Sequence, residues 1–297
     1  MSANKTRALT PPAFLGRSLA TVIILFFIIV FGVPIVWLLL APTKSATELT
    51  GQPPFSFGSF EMIAENFARL SEFQNGIIWQ WTANAAFYTG IALIITLAVS
   101  IPAGYALAMT KFKGRGVLLI VTLVVMLIPN TALVLPIFLE MSALRLIGTP
   151  WAVILPFSFF PFGVYLTYIY FTTSISKDLL NAARIDGASE LRVFLSVALP
   201  LATPVVALVG FFNLVGNWNN YFLPFVMVPG RKAPIQVGLS ELLSNVPLFN
   251  PTSAASVTLD LPVMALATLI SIAPILIVFL FSQRFLVEGM TAGGTKE

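Results

Sequence analysis

The chain has 297 residues, 58% of them hydrophobic and 9% charged, whereas a soluble domain carries about 25% charged residues. That gap places it in the membrane class. It has no cysteine and no histidine, which excludes disulfide frameworks, thiolate metal sites and histidine-based catalysis, and removes the commonest neutral-pH proton carrier.

Charged residues are costly at the centre of a bilayer, so uncharged stretches mark candidate spans. The first runs from Ser18 to Thr43, after Lys5, Arg7 and Arg17. Its apolar core, Leu19 to Ala41, exceeds the 7–15 residues of a signal h-region, and no A-x-A site follows. It reads as a retained anchor. Residues 41–80 form the longest excursion, with Glu48, Glu61, Glu65 and Glu72. Within it FEMIAENFARL predicts a short amphipathic helix, placed on the membrane surface, against an external partner, or as a cap over the bundle. Span two is Phe73–Thr110, followed by Lys111, Lys113 and Arg115. Span three is Gly116–Leu139, span four Leu146–Ser176 and span five Val193–Gly230. Leu242 to Leu259, with two prolines and many polar residues, reads as a loop. Span six is Leu261–Gln283. Each span exceeds the roughly 20 residues that cross about 30 Å of hydrocarbon.

Eleven of the 16 basic residues fall on one side of this arrangement, the side that holds both termini. By the positive-inside rule that side is cytoplasmic. The net charge of +4 is thereby topology and not a nucleic-acid patch. Pro102, Pro129, Pro136, Pro156, Pro161, Pro204, Pro224 and Pro274 predict kinked helices, whose freed carbonyls neighbours can satisfy. No internal repeat is evident, so an inverted-repeat carrier has no support.

The segment between spans four and five reads SISKDLLNAARIDGASELRVFLSVALP, Ser174 to Pro200. Ser176 is a predicted N-cap and Asp178 suits the first turn. Leu179, Leu180, Ala183 and Ile185 supply an apolar side. Ala182 and Ala183 allow another backbone close, and Gly187 suits a left-handed helix end. A second helix is predicted from about Ala188 to Pro200.

This loop resembles the coupling motif of ABC importer permeases: EAA, three residues, G, nine residues, I-x-L-P. Ala182, Ala183, Gly187, Leu199 and Pro200 match; Asn181 stands for the usual Glu and Val197 for Ile. LIPNTALVLPIF and LRLIGTPWAVIL (127–155), GNWNNYFLPFVM (216–227) and QRFLVEGMTAGGTKE (283–297) are similar to the carbohydrate branch of that family, the maltose type. The resemblance covers roughly residues 18–297. It implies an all-α polytopic protein of a prokaryotic plasma (inner) membrane, with six transmembrane helices in the type I ABC importer permease fold and cytoplasmic termini. The domains expected are a tail (1–17), a permease domain (18–285) with the coupling loop at 174–198, and a second tail (286–297). The implied partners are a second, homologous permease, two nucleotide-binding ATPase subunits and an external solute-binding protein, with membrane lipid around and no nucleic acid. The chain has no phosphate-loop motif, so no cofactor is expected in it, and ATP and Mg belong to the partner ATPase. It is not expected to be an enzyme.

For coupling to the ATPase, through residues 176–190, the resemblance points to Asp178, Leu179, Ala182, Ala183, Arg184, Asp186 and Gly187. For a solute path, Asn213, Asn217 and Asn220 recur at helical spacing, with Trp218 and Tyr221 nearby and Asn84 in span two. Amides in hydrocarbon face a bundle interior or water, and they also serve inter-helix hydrogen bonding. Both roles remain open from the sequence. No metal site is expected. The competing classes are a stand-alone secondary carrier or channel, which should show mid-span ionisable groups, and a membrane enzyme, which should show paired carboxylates. Glu140, Asp260 and Arg284 only flank the spans.

Overall fold

The structure, a computed structural model, describes residues 11–250 and 259–291, with side chains described over 17–250 and 259–283. Its helices are α1 (Pro11–Leu40), α2 (Ala46–Gly51), α3 (Phe60–Glu72), α4 (Ile77–Met109), α5 (Arg115–Met126), α6 (Asn130–Ala143), α7 (Trp151–Ser158) and α8 (Pro161–Ser174). They continue with α9 (Lys177–Ile185), α10 (Glu190–Val193), a π-helical turn (Phe194–Ala198), α11 (Leu199–Leu201), α12 (Thr203–Trp218), α13 (Phe222–Met227), α14 (Ile235–Ser244) and α15 (Leu261–Thr291). No strand occurs among the described residues, and the fold class is all-α as expected.

Four segments are long and apolar enough to cross a membrane: Arg17–Thr43, Ile77–Met109, Trp151–Ser174, which is α7 and α8 in succession, and Leu261–Gln283. The two other expected spans are bent, α5 against α6 by 107° and Glu190–Leu201 against α12 by 77°. Six spans result if each bent pair is one crossing. Proline chemistry accounts for both bends. Pro129 pushes Ile128 out of helical geometry. Pro204 has no N–H for the Pro200 carbonyl, which instead accepts from the Thr203 hydroxyl at 2.7 Å.

Span five also ends earlier than its apolar run. Helix α12 stops at Trp218, the chain turns at Asn219–Asn220, and 222–227 is a separate short helix. The expected loop at 242–259 begins inside α14, which reaches Ser244; its residues 251–258 lie outside the described ones. The expected amphipathic helix is α3. Lys5, Arg7 and Lys296 lie outside the described residues, as does the Arg284 side chain.

The chain divides into two compact units. The first holds the described parts of residues 1–70 and 245–269. None of the spanning window of α1 is buried within the chain. Beyond α1, Lys44 is fully buried and donates to the carbonyls of Pro53 (2.9 Å) and Pro54 (3.3 Å). Asn66 donates to Pro42 and Lys44 carbonyls, and Arg69 pairs with Asp260 at 2.8 Å.

The second unit, residues 71–244 and 270 onward, is organised on α4, which packs against α7, α8, α12 and α14. At 1.5 Å per residue α4 is about 50 Å long. It meets α8 nearly backbone to backbone: a Cβ on Gly104 would lie 2.4 Å from Thr167 Cβ. Small residues permit such approach where lipid supplies no hydrophobic drive. One apolar cluster joins Tyr105, Phe171, Leu180, Val193, Phe194 and Val205; another joins Tyr88, Met141, Val153, Ile154, Leu223 and Met227.

Candidate functional site

The first site is the α9 segment. The Ser176 hydroxyl accepts from the Asp178 N–H at 3.2 Å, as an N-cap should. At the other end Gly187 has φ +83°, the Gly187 N–H donates to Arg184 O (3.0 Å) and the Ala188 N–H to Ala183 O (3.1 Å). These two bonds are a Schellman motif, with glycine at its left-handed position. Ser189 then caps α10, two residues later than Ala188 would have started it.

Arg184 spans that turn. Its Nε and one terminal nitrogen donate to both Glu190 oxygens, at 2.7 and 3.1 Å, and its other terminal nitrogen donates to Asn181 Oδ1 at 2.8 Å. Hydrogen bonding to Glu190 raises the Arg184 pKa above its ordinary value. Asn181, where the motif usually has Glu, thus serves the same guanidinium. The Tyr105 hydroxyl, near the end of α4, is buried without a hydrogen-bond partner among the described residues.

The apolar side expected of α9 is split. Leu180 is buried and Ala183 packs on the Tyr105–Phe171 cluster, so these two root the helix. Leu179 is half exposed, and Ile185 is 86% exposed on the opposite side. At about 100° per residue, Ile185 lies roughly 140° around the helix from Leu180 and roughly 160° from Ala183, so it cannot share their face. Asp178, Ala182, Asp186 and Gly187 are exposed and Arg184 half-buried.

The second site is a cavity of about 580 Å³ among α5, α6, α7, α8, α12 and the turn after it, within the range of about 300–1,000 Å³ typical of ligand pockets. Pro161 builds one wall. In an unbroken helix the Phe157 carbonyl would accept from residue 161, but the chain leaves helical geometry at Phe159 (ψ 104°) and Phe160 (ψ 76°), and Pro161 opens the next helix without an N–H. Asn213 (3.2 Å) and Asn217 (3.0 Å) donate to it instead, and Asn217 also donates to Asn213 Oδ1 at 3.1 Å. Thr96 takes the neighbouring Ser158 carbonyl at 3.0 Å.

The structure thus brings Asn213, Asn217, Asn220 and Tyr221 to one cavity. Asn213 is nearly fully buried there. Asn220 sits beyond the end of α12, so it does not share a helix face with the other two; its Oδ1 accepts from the Leu223 N–H at 3.3 Å. Trp218 is buried away from the lining, its Nε1 donating to Ser271 O at 3.0 Å. Asn84 also lies outside it, donating to the Arg231 and Ala233 carbonyls. The lining adds Asn130, Asn219, Phe159 and Phe222, which sequence reasoning missed. An amide directly after Pro129 in an apolar run was a usable signal for Asn130.

Against known proteins, residues 100–292 match the family model described as binding-protein-dependent transport system inner membrane component. The chain belongs to this family. It is similar to the arabinooligosaccharides transport system permease protein AraQ of Halalkalibacterium halodurans, 32% identical over 272 residues, covering 91% of this chain and 92% of that one. The maltodextrin transport system permease protein MdxG of Bacillus subtilis is 26% identical over 287 residues, 95% and 98% of the two chains. A chain from the crystal structure of a bacterial ABC transporter involved in the import of the acidic polysaccharide alginate superimposes with a TM-score of 0.80. It is 23% identical, covering 95% of this chain and 100% of its own, and it establishes the shared fold. The chain is therefore a multi-pass inner-membrane permease component of an ABC importer.

Proposed function

We propose that this permease forms half of the translocation pathway for a carbohydrate delivered by an external binding protein, and that α9 couples it to a separate ATPase. In this reading both termini and α9 are cytoplasmic, the permease domain spans 18–285, a second permease completes the pathway, and two ATPase subunits hold ATP and Mg. The carbohydrate class is supported by the sugars for which the relatives are named and by amides and aromatic rings around one uncharged cavity.

The observation that carries the coupling assignment is the exposed apolar end of α9. Ile185, at 86% exposure, sits beside a rigid Schellman turn and outside every described candidate span. Exposed apolar surface that lipid does not cover marks a protein interface. Asp178, Leu179, Ala182, Ala183, Arg184, Asp186 and Gly187 complete the docking element, with Ala183 packed on the bundle beside Leu180 and Arg184 clamping the turn.

The chain has no cysteine, so single-cysteine variants have no background. Ile185→Cys in the co-expressed complex should cross-link to an ATPase subunit with a short bis-maleimide. Val121→Cys, exposed on α5, should not. A permease that purifies without ATPase and moves solute without ATP would refute the assignment in favour of a carrier.

A further inference from the structure

The cavity has a hydrogen-bonding polarity that follows from the Phe157 carbonyl, left free where α7 ends. The Phe157 carbonyl can only accept, so Asn213 and Asn217 must both turn their amide nitrogens toward it. Asn217 then spends its second N–H on Asn213 Oδ1. A flipped Asn217 would set its oxygen against two acceptors. Its nitrogen is fully committed, and what it can offer the cavity is Oδ1, a fixed acceptor. Asn220 is oriented the other way: its Oδ1 is engaged by the Leu223 N–H, leaving Nδ2 as a donor.

No lining residue is charged, and Phe159 and Phe222, each more than half exposed, are among the lining side chains. A hydroxyl is donor and acceptor at once, so a polyol satisfies both amides. A carboxylate or sulfate oxygen only accepts. It would meet Asn217 Oδ1 with no hydrogen between them and no cation to offset its desolvation. The aromatic faces carry negative quadrupole potential, which suits sugar C–H faces and opposes an anion.

We propose that the half of the pathway built by this chain selects a neutral, hydroxyl-rich solute and discriminates against anionic sugars, with Asn217 as a specificity-determining residue. The inference rests on the cavity being the solute path, as read above. It adds a charge class, and it gives the Asn213–Asn217 pair a purpose beyond joining α7 to α12.

The test is equilibrium binding to the complete importer in nanodiscs, without binding protein, using radiolabelled maltotriose and arabinotriose against trigalacturonate of equal length. The neutral probes should bind at least about tenfold more tightly than the uronate, the scale of one well-made hydrogen bond to a fixed partner. Asn217→Leu should erase most of that gap by weakening the neutral probes. Asn219→Lys, at an exposed lining position, should narrow it by strengthening the uronate. Intact assembly and ATP hydrolysis show that each variant is folded. Equal or tighter uronate binding by the unaltered importer overturns the proposal. So does absence of binding by every probe while ATP hydrolysis and the Ile185→Cys cross-link persist, an outcome that leaves the permease reading standing.

Discussion

Gly187 separates conformation from contact at the coupling turn. Its φ of +83° lies in the left-handed region, and a Cβ there would meet no atom of this chain within 4 Å. The penalty for a side chain is therefore backbone strain, about 1–2 kcal/mol for an ordinary L-residue, and not a clash within the permease. That is a factor of roughly 5–30 in the population of the Schellman turn. Gly187→Ala and Gly187→Val should lower solute moved per ATP by about that factor wherever the turn is needed for docking. Gly187→Asn should stay near the unaltered protein, because Asn tolerates this region. Gly187→Trp should match Gly187→Ala in thermal stability of the isolated permease. In the assembled importer it should fall further, since only a partner surface can collide with the ring. Transport-to-ATP ratios in proteoliposomes and melting curves of the isolated chain read the two effects apart. Equal coupling for the Ala and Asn variants would show that the left-handed cap is irrelevant. Equal transport for Trp and Ala would show that nothing docks over Gly187.

Two further outcomes test the frame around the sites. Gly104→Val puts a side chain 2.4 Å from Thr167 Cβ and 2.9 Å from the Val164 carbonyl, so overpacking of about 1–3 kcal/mol is expected; Gly90→Val, with open space at its Cβ, is the control, and similar melting temperatures for the two in detergent would contradict the close approach of α4 and α8. Arg184→Met and Glu190→Gln in a double-mutant cycle should show coupling within the range of about 0.2–1 kcal/mol, as for solvent-exposed pairs, read as the change in transport-competent complex. Asn181→Glu should keep activity because Arg184 can still bond there. Strictly additive losses would mean the clamp across Gly187 contributes nothing.

What could be read in advance follows the range of the physics. Hydrocarbon excludes charge over about 30 Å, so the spans were legible from where charges are missing, and α9 was legible because caps are local: Ser176 and Gly187 act within four residues of themselves. The direction of the chain inside an apolar run was not. Nothing in the residues 193–230 announces that α12 stops at Trp218, because Asn219 and Asn220 look like further members of a polar helix face. The 107° turn at Leu127–Pro129 was visible only as a proline, and with it went the position of Asn130 in the cavity.

The amides show the same boundary most sharply. Their spacing left two roles open, holding helices together or meeting solute, and the structure makes these roles sequential instead of alternative. The chain leaves helical geometry at Phe159 and Phe160, more than fifty residues before the amides, and this frees the Phe157 carbonyl. That carbonyl turns Asn213 and Asn217, and the turned Asn217 leaves only an acceptor for whatever fills the cavity. A helix-joining bond thereby sets the polarity of the pathway wall. Removing the second partner of Asn217 should consequently alter solute preference as well as packing: Asn213→Ala takes away the oxygen that accepts the second Asn217 N–H, frees that N–H for the cavity, and should raise trigalacturonate binding relative to maltotriose even though the wall gains no charge. An unchanged preference in a folded, ATP-hydrolysing Asn213→Ala importer would show that the orientation of Asn217 does not set the polarity of the wall.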